Sequence, residues 1–221
     1  AAARVPSPCP LMGHMGKDGH GDKGRGSDTI ICACCNPLPV VRNTTGQRDQ
    51  HMQISLTMYL PNFAMGGAET HTLKLAAGMI KRGFAVTILV HNTEGELAFR
   101  VPKGAKIVSL NVNRTLAALF PLVRYLRTVK PDFLVSNLGM NNIVAIWARL
   151  LAGGKTRVVA TEHDSLMKEG LPKQWQFKIM PLIYRLFLRF ADGIVAVSEG
   201  VGDKLAKVAH ITRDRITVIY N

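Results

Sequence analysis

The chain has few features that would place it across a membrane or on a nucleic acid. None of its hydrophobic stretches approaches the roughly 18 consecutive apolar residues that a transmembrane helix requires. Its first residues also lack the apolar central region of a secretory signal peptide. These two absences predict a cytoplasmic protein. Aromatic residues make up only 6% of the 221 residues, and the sequence has no aromatic stacking platform and no recognised nucleic-acid-binding motif.

The four cysteines, at positions 9, 32, 34 and 35, all lie in a leader whose composition differs from that of the rest of the chain. They lack the paired C-x2-C spacing of a zinc site, so we expect no metal there, although three histidines fall in the same segment. The stretch GKDGHGDKGRGSD is too poor in apolar groups to offset the entropy of ordering it. We therefore expect residues 1–51 to be a disordered leader or an extension ahead of Met52.

From residue 52 onward, apolar patterns typical of strands and helices alternate. Apolar runs predict strands at residues 54–60, 85–90, 107–110, 133–135, 158–161, 194–197 and 216–220. Helical spacing predicts helices that end at Gly83, at Lys130 and at Gly153, and two more near residues 174–191 and 199–209. This order predicts an α/β fold, with a doubly wound, mostly parallel sheet flanked by helices over residues 52–221.

An apolar strand runs almost directly into the glycine pair Gly66 and Gly67, and then into an amphipathic helix. Residues without a Cβ let the backbone approach a bulky group, and a helix start offers unpaired N–H donors and a positive dipole end. The turn therefore suits a phosphate or sugar phosphate, although a tight turn in any α/β protein would have the same pattern. Glu69 in the first helical turn complements the helix dipole, and either a capping role or ligand contact explains it.

In open α/β sheets, ligands bind beyond the carboxyl ends of the strands. The polar and glycine residues at these positions are Asn62, Gly66, Gly67, His91, Asn92, Asn137, Asn141, Asn142, Glu162, His163, Asp164, Ser198 and Glu199. We predict that they converge on one rim of the sheet. Asparagine is also a common residue of turns, and Ser198 fits a helix N-cap as well as a ligand contact.

His163 is the strongest candidate on this rim. It follows an apolar strand and stands between Glu162 and Asp164, which could fix its tautomer and raise its pKa. The alternative from spacing alone is that His163 caps the following turn or bonds a backbone carbonyl.

The chain carries a net charge of +13, and the excess belongs to the folded part, where residues 51–221 hold 22 Lys and Arg against 11 Asp and Glu. Lys178, Arg185 and Arg189 recur at spacings of seven and four on a helix that also carries apolar residues. This basic amphipathic stripe predicts contact with anionic lipid, although an ordinary surface helix would show the same pattern. A basic module that binds nucleic acid or anionic membranes without catalysis is the alternative that the charge allows.

The segment GGAETHTLKLAAGMIKRGFAVTILV resembles the opening of the N-terminal domain of retaining glycosyltransferases of the GT-B fold. In that family a Gly-Gly-Ala-Glu turn, a helix and a Lys-Arg-Gly exit precede the second strand. The likeness continues in family order through KPDFLVSNLGMNN, RVVATEHDS, ADGIVAVSEGV and ITVIYN. Within the family it is strongest for enzymes that build lipopolysaccharide cores and other surface polysaccharides. A nicotinamide-dependent oxidoreductase would instead need a spaced G-x-G-x-x-G after the first strand and an acidic residue ending the second, and the chain has neither.

The resemblance implies a hexosyltransferase-type enzyme with a Rossmann-like domain, which transfers a sugar with retention from a nucleotide sugar to a glycan or lipid-linked acceptor. It implies no metal cofactor, no nucleic-acid partner, and a cytoplasmic enzyme that can sit on the inner face of the membrane. His163 would lie in the cleft between domains and position the sugar. The family's second domain, with its basic pair and Glu-x7-Glu element, is missing from the sequence, so we expect no turnover by this chain alone.

Overall fold

The computed structural model describes residues 30–32, 53–163 and 173–220, which form one parallel sheet with helices on both faces. The strands are β1 (Ile30–Cys32), β2 (Ser55–Leu60), β3 (Ala85–Val90), β4 (Lys106–Ser109), β5 (Phe133–Asn137), β6 (Arg157–Glu162), β7 (Gly193–Ala196) and β8 (Ile216–Val218). The α-helices are α1 (Gly67–Lys81), α2 (Leu119–Val129), α3 (Gly139–Ala152), α4 (Lys173–Phe187) and α5 (Glu199–Ala209). The predicted doubly wound parallel sheet is therefore confirmed.

The strand order is β1-β4-β3-β2-β5-β6-β7-β8, and every neighbouring pair is parallel. From β2 the chain moves outward to β3 and β4, and from β5 it moves outward in the opposite direction to β6, β7 and β8. The order therefore reverses between β2 and β5. In sheets of this kind such a reversal opens a crevice at the carboxyl ends of the two central strands.

Two apolar clusters hold the helices onto the sheet. On one face, α2, α3, α4 and α5 pack against the strands in a large cluster whose fully buried side chains include Tyr59, Leu122, Ile143 and Tyr184. On the other face, Leu73 and other residues of α1 pack against β2 and β3. The central strands are therefore covered on both sides, which agrees with their continuous apolar runs.

The predicted element boundaries hold to within a few residues, with local differences. Gly83 ends the first helix as predicted and adopts a positive φ of 87°, which glycine tolerates. The second predicted helix is split, because residues 116–118 form a single 3₁₀ turn before α2 begins at Leu119. The fourth ends earlier than predicted, at Phe187, and a 3₁₀ turn follows it. The last strand stops at Val218, where its partner β7 also ends.

Strand β1 lies inside the leader that the sequence predicted to be disordered. Its residues Ile30, Ile31 and Cys32 pair in parallel with residues 107–109 at the edge of the sheet. A short apolar run can add to an edge strand because that strand offers unpaired N–H and C=O groups. The expectation for residues 30–32 was therefore wrong, while the remainder of residues 1–51 lies outside the described residues.

Candidate functional site

The carboxyl edge of the sheet is where the fold gathers the predicted polar residues. At the reversal between β2 and β5, α1 leaves toward one face and α3 toward the other, so the starts of both helices flank the same crevice. Among the described residues, no side chain caps the first turn of α1 or of α3. The N–H donors at these two helix starts are thus not used by a capping side chain, and both sets lie at positive dipole ends.

The two glycines at the start of α1 differ in the space around them. Gly66, the N-cap, has an extended backbone that any residue could adopt, but a Cβ there would collide with the carboxylate of Glu69. Glu69 is only 8% exposed, so its side chain is folded back over the turn. A Cβ on Gly67 would meet nothing within 4 Å, and Gly67 is exposed. A Cβ at position 66 would therefore displace the flexible end of the Glu69 side chain, whereas position 67 has open space around it.

The turn from β5 into α3 is strained. Leu138, the N-cap of α3, has φ 74° and ψ 136°, a conformation that costs a residue other than glycine about 1–3 kcal/mol. Strain of this size persists only where the surroundings impose it, and it is concentrated at functional sites. On either side of Leu138, buried polar atoms of Ser136, Asn137 and Asn142 have no hydrogen-bond partner among the described residues. The strand-to-helix turn 136–142 is therefore the least internally satisfied part of the described core.

His163 lies at this turn and is half-buried, with its Nε2 atom 3.3 Å from Oδ1 of Asn137. Burial and, to a lesser extent, the charge of the nearby His71 together lower the pKa of His163 to about 4. The prediction that flanking carboxylates raise this pKa was therefore wrong. The physical reason is that burial disfavours the charged ring and that Glu162 directs its carboxylate into the core toward Tyr184. Asp164 lies outside the described residues.

The protonation pattern around His163 follows from this contact. An amide oxygen only accepts hydrogen bonds, so a hydrogen bond to Oδ1 of Asn137 selects the tautomer with the proton on Nε2, in which Nδ1 of the neutral ring is an acceptor. Nδ2 of Asn137 is a donor, and none of the described residues accepts a hydrogen bond from it, although Asn137 is only 3% exposed. The pair thus offers two atoms to a ligand: Nδ2 of Asn137 as a donor, and Nδ1 of His163, which does not contact Asn137, as an acceptor.

Glu162 belongs to a buried network on the face covered by α3 and α4. Its carboxylate is 1% exposed and accepts hydrogen bonds from the hydroxyl of Tyr184 at 3.0 Å and from Nδ2 of Asn142 at 3.4 Å. Asn142 also donates to the backbone oxygen of Thr161 at 3.0 Å. This network joins the first turn of α3 to the end of β6 and to α4, so Glu162 supports the site from within the core.

The remaining predicted rim residues occupy different environments. Ser198 is the N-cap of α5, where its Oγ accepts a hydrogen bond from the backbone N–H of Val201 at 3.3 Å. Asn141 is buried in the first turn of α3. His91 is buried and lies 2.6 Å from the hydroxyl of Tyr59, and burial lowers the pKa of His91 to about 4. Ser198 and His91 therefore have internal structural roles.

The basic stripe on α4 is partly described. Arg185 of α4 and Arg189, in the 3₁₀ turn that follows the helix, are exposed, whereas the side chain of Lys178 lies outside the described residues. The apolar residues Leu182 and Leu186 are also exposed, by 55% and 42%, on the same helix. The outward side of α4 thus mixes apolar and cationic groups. None of the helices in the described ranges is long and apolar enough to cross a membrane.

Within the described ranges, no group of three or more His, Cys, Asp and Glu side chains could hold a metal ion. Three residues near the site were missed by the sequence analysis: Leu138, Tyr184 and His71. Only His71 left a usable signal, because it stands four residues after Gly67 and so shares a helix face with it.

Comparison with known proteins gives a family match and several matches to solved structures. The model of Glycosyltransferase Family 4 matches residues 65–221, more than two thirds of the chain. A search of the curated proteins found no significant match.

Three solved structures illustrate the structural likeness. The lipopolysaccharide outer core galactosyltransferase WaaB is 19% identical, with a TM-score of 0.52 over 76% of this chain and 46% of that one. HepE from Anabaena, in complex with UDP and glucose, is 18% identical, with a TM-score of 0.55 over 76% of this chain and 45% of that one. A glycosyltransferase from Rickettsia africae is 18% identical, with a TM-score of 0.53 over 77% and 44%. The chain thus spans less than half the length of these proteins, and at such identities the likeness establishes the fold.

Proposed function

Because this chain belongs to glycosyltransferase family 4, we propose that it forms the acceptor-side half of an enzyme that transfers a hexose from a nucleotide sugar to a glycan or lipid-linked acceptor. The donor, acceptor and reaction of the whole protein are part of this proposal, since the chain spans less than half the length of the structures it matches. We further propose that transfer proceeds with retention and without a metal, and that this half alone does not turn over.

The observation that carries the proposal is the pairing of His163 with Asn137. The pKa of about 4 keeps the His163 ring neutral at pH 7, with Nδ1 as an acceptor, and Nδ2 of Asn137 is a donor without a partner among the described residues. A hydroxyl group is both a donor and an acceptor, so it can satisfy the two atoms together. An anion such as phosphate accepts only and would leave Nδ1 unsatisfied. The pair therefore suits the hydroxyls of a sugar.

The start of α1 suits a phosphate, so we propose that this acceptor-side half also contacts the phosphate of the donor. Gly67 is exposed with no neighbour where a Cβ would be, and the first-turn N–H groups of α1 have no side-chain cap among the described residues. Such a helix start attracts anions through its dipole and its free donors. A sugar phosphate lying across the crevice would thus have its charged end at Gly67 and its hydroxyls at Asn137 and His163.

Asn141, Glu162, Asp164 and Ser198 have lesser parts in this proposal. Glu162 holds the strained turn through Asn142 and Tyr184, and Ser198 caps α5, so both act on the site through structure. Asn141 in the first turn of α3 and Asp164 directly after His163 remain predicted ligand contacts. Glu69 shapes the turn at Gly66.

The likeness to WaaB, a lipopolysaccharide outer core galactosyltransferase, supports a role in the synthesis of lipopolysaccharide or another surface polysaccharide. Acceptors of that kind are attached to lipid, which would place the enzyme at the inner face of the cytoplasmic membrane. The outward side of α4 supports such a position, because Leu182 and Leu186 can enter the lipid interface while Arg185 and Arg189 pair with anionic head groups.

Ligand-observed NMR of the chain tests the proposed site. Saturation transfer to the sugar protons of UDP-glucose detects weak binding, and we expect Asn137→Ala and His163→Ala to reduce affinity by about tenfold each, the effect of losing about one hydrogen bond to the ligand. The matched control is His210→Asn, because His210 is exposed at the end of α5 in a left-handed conformation that asparagine accepts. Equal saturation in all variants would contradict the assignment. Detectable sugar transfer by the 221-residue chain alone would contradict the proposal that it is inactive.

Vesicle pelleting tests the membrane surface separately. We expect the chain to pellet with vesicles that contain phosphatidylglycerol and to stay in solution with pure phosphatidylcholine. The double variant Leu182→Ser/Leu186→Ser should lose most of this binding, whereas Leu151→Ser, which changes a residue 52% exposed on α3, should keep it. Binding that is equal for charged and uncharged vesicles, or that the α4 double variant retains, would contradict this part of the proposal.

A further inference from the structure

His71 is a polar neighbour of the candidate site that the sequence analysis did not single out. It is half-buried on α1, and its ring meets the ring of His163 edge-on, with the two centroids 6.1 Å apart. Helix α1 packs on β2 and β3, while His163 follows β6, which lies two strands away from β2 across β5. The His71 side chain therefore reaches across the crevice from one wall to the other.

Of the ionisable side chains near this contact, His71 is the one whose ring contacts the His163 ring. Glu69, on the same helix, has its carboxylate at Gly66, and Glu162 directs its carboxylate to the opposite face of the sheet, toward Tyr184. Burial is the main cause of the low pKa of His163, and the charge of a protonated His71 is the second. The other charged residues of α1 and β6 are Lys74 and Lys81, which lie further along the helix, and Arg157, which lies at the opposite end of the strand.

We propose that His71 is a positioning residue that holds the imidazole of His163 against Asn137, so that Nε2 donates to the amide oxygen and Nδ1 faces the crevice. The edge-on contact with His71 limits rotation of the His163 ring, which also contacts Asn137. The like charge of a protonated His71 also opposes protonation of the His163 ring, which would remove the acceptor at Nδ1. The inference rests on the proposed function only for the identity of the group that Nδ1 binds.

Imidazole nitrogen NMR of the free chain tests this role without any ligand. The nitrogen shifts of His163, assigned by comparison with His163→Gln, report both its tautomer and its pKa. His71→Phe keeps a ring at the contact but removes the charge, so we expect the Nε2–H tautomer to persist and the pKa of His163 to rise by about 0.5 to 1 unit. The lower figure is that of a charge pair about 6 Å apart at a dielectric constant of about 80, and the upper figure keeps burial as the larger cause of the low pKa.

His71→Ala removes both ring and charge, and we expect the two nitrogen shifts of His163 to move toward the values of a tautomer mixture. His210→Asn is again the control and should change neither tautomer nor pKa. Unchanged shifts and an unchanged titration of His163 in both His71 variants would overturn the proposal. If His71→Ala fails to fold, the titration of His71→Phe decides alone. A failure of UDP-glucose to bind would count against the proposed function and would leave this result intact.

Discussion

Replacing Gly67 with alanine should separate the stability of the chain from its ability to bind a ligand. Gly67 is the first residue of α1, it has no positive φ, and a Cβ there would meet nothing within 4 Å. Alanine restricts the unfolded chain and favours the helix, so we expect Gly67→Ala to raise the free energy of unfolding by about 0.4–1 kcal/mol. For a chain of this size that corresponds to a rise in Tm of about 1–4 °C.

The same methyl group should weaken the binding of UDP-glucose. If the donor phosphate lies against the backbone N–H groups at the start of α1, a Cβ at position 67 occupies part of that space. We expect at least about a tenfold loss of affinity, equivalent to about 1.4 kcal/mol. Thermal unfolding followed by circular dichroism gives the first quantity, and titration of UDP-glucose by saturation-transfer NMR gives the second.

Gly78→Ala is the matched control, because Gly78 lies in the same helix and a Cβ there would make only an ordinary 3.5 Å contact with Arg82. It should stabilise the chain to a similar degree and leave ligand binding unchanged. A Gly67→Ala variant that binds UDP-glucose as tightly as the parent chain would refute the reasoning that this helix start holds the phosphate.

Three further predictions concern stability. Ser198→Ala removes the side-chain cap of α5 and should lower the free energy of unfolding by about 0.5–2 kcal/mol, measured by urea denaturation. Tyr184→Phe leaves a buried carboxylate with one hydrogen bond fewer and should cost about 1–3 kcal/mol, whereas Tyr220→Phe, at an exposed position, should cost almost nothing; equal effects would contradict the buried network. His91 and His163 have pKa values lowered to about 4, so the unfolded chain binds more protons than the folded chain between about pH 6.5 and pH 4. Stability should therefore fall as the pH is lowered through this window, by at most about 1.4 kcal/mol per pH unit for each group, and a urea midpoint that stays constant there would contradict both shifts.

Much of the fold could be predicted from the sequence because its signals are local. The apolar run of residues 85–90 matches β3, and Ser198 followed by Glu199 marks the start of α5 in the structure. Residues 30–32 were missed because their pairing with β4 is a long-range contact within a segment of low hydrophobicity.

The candidate site was predicted less completely, since its chemistry depends on which face each side chain takes. Glu162 and His163 are adjacent in sequence, yet their side chains lie in different places. The carboxylate of Glu162 accepts a hydrogen bond from Tyr184 inside the core, whereas the ring of His163 contacts His71 and Asn137. With the Glu162 carboxylate turned away, burial and then His71 lower the pKa of His163, opposite to the predicted direction. The strain at Leu138 was also invisible, because leucine carries no preference for a positive φ.

The central claim is that residues from three separate segments at the carboxyl edge of the sheet form one half of a sugar-transfer crevice. The most direct test is to follow the ring nitrogens of His163 and the side-chain amide of Asn137 by NMR while UDP-glucose is added. We predict that both sets of signals shift together along one saturable binding curve. Saturable binding that leaves both sets unmoved would place the ligand elsewhere and contradict the claim.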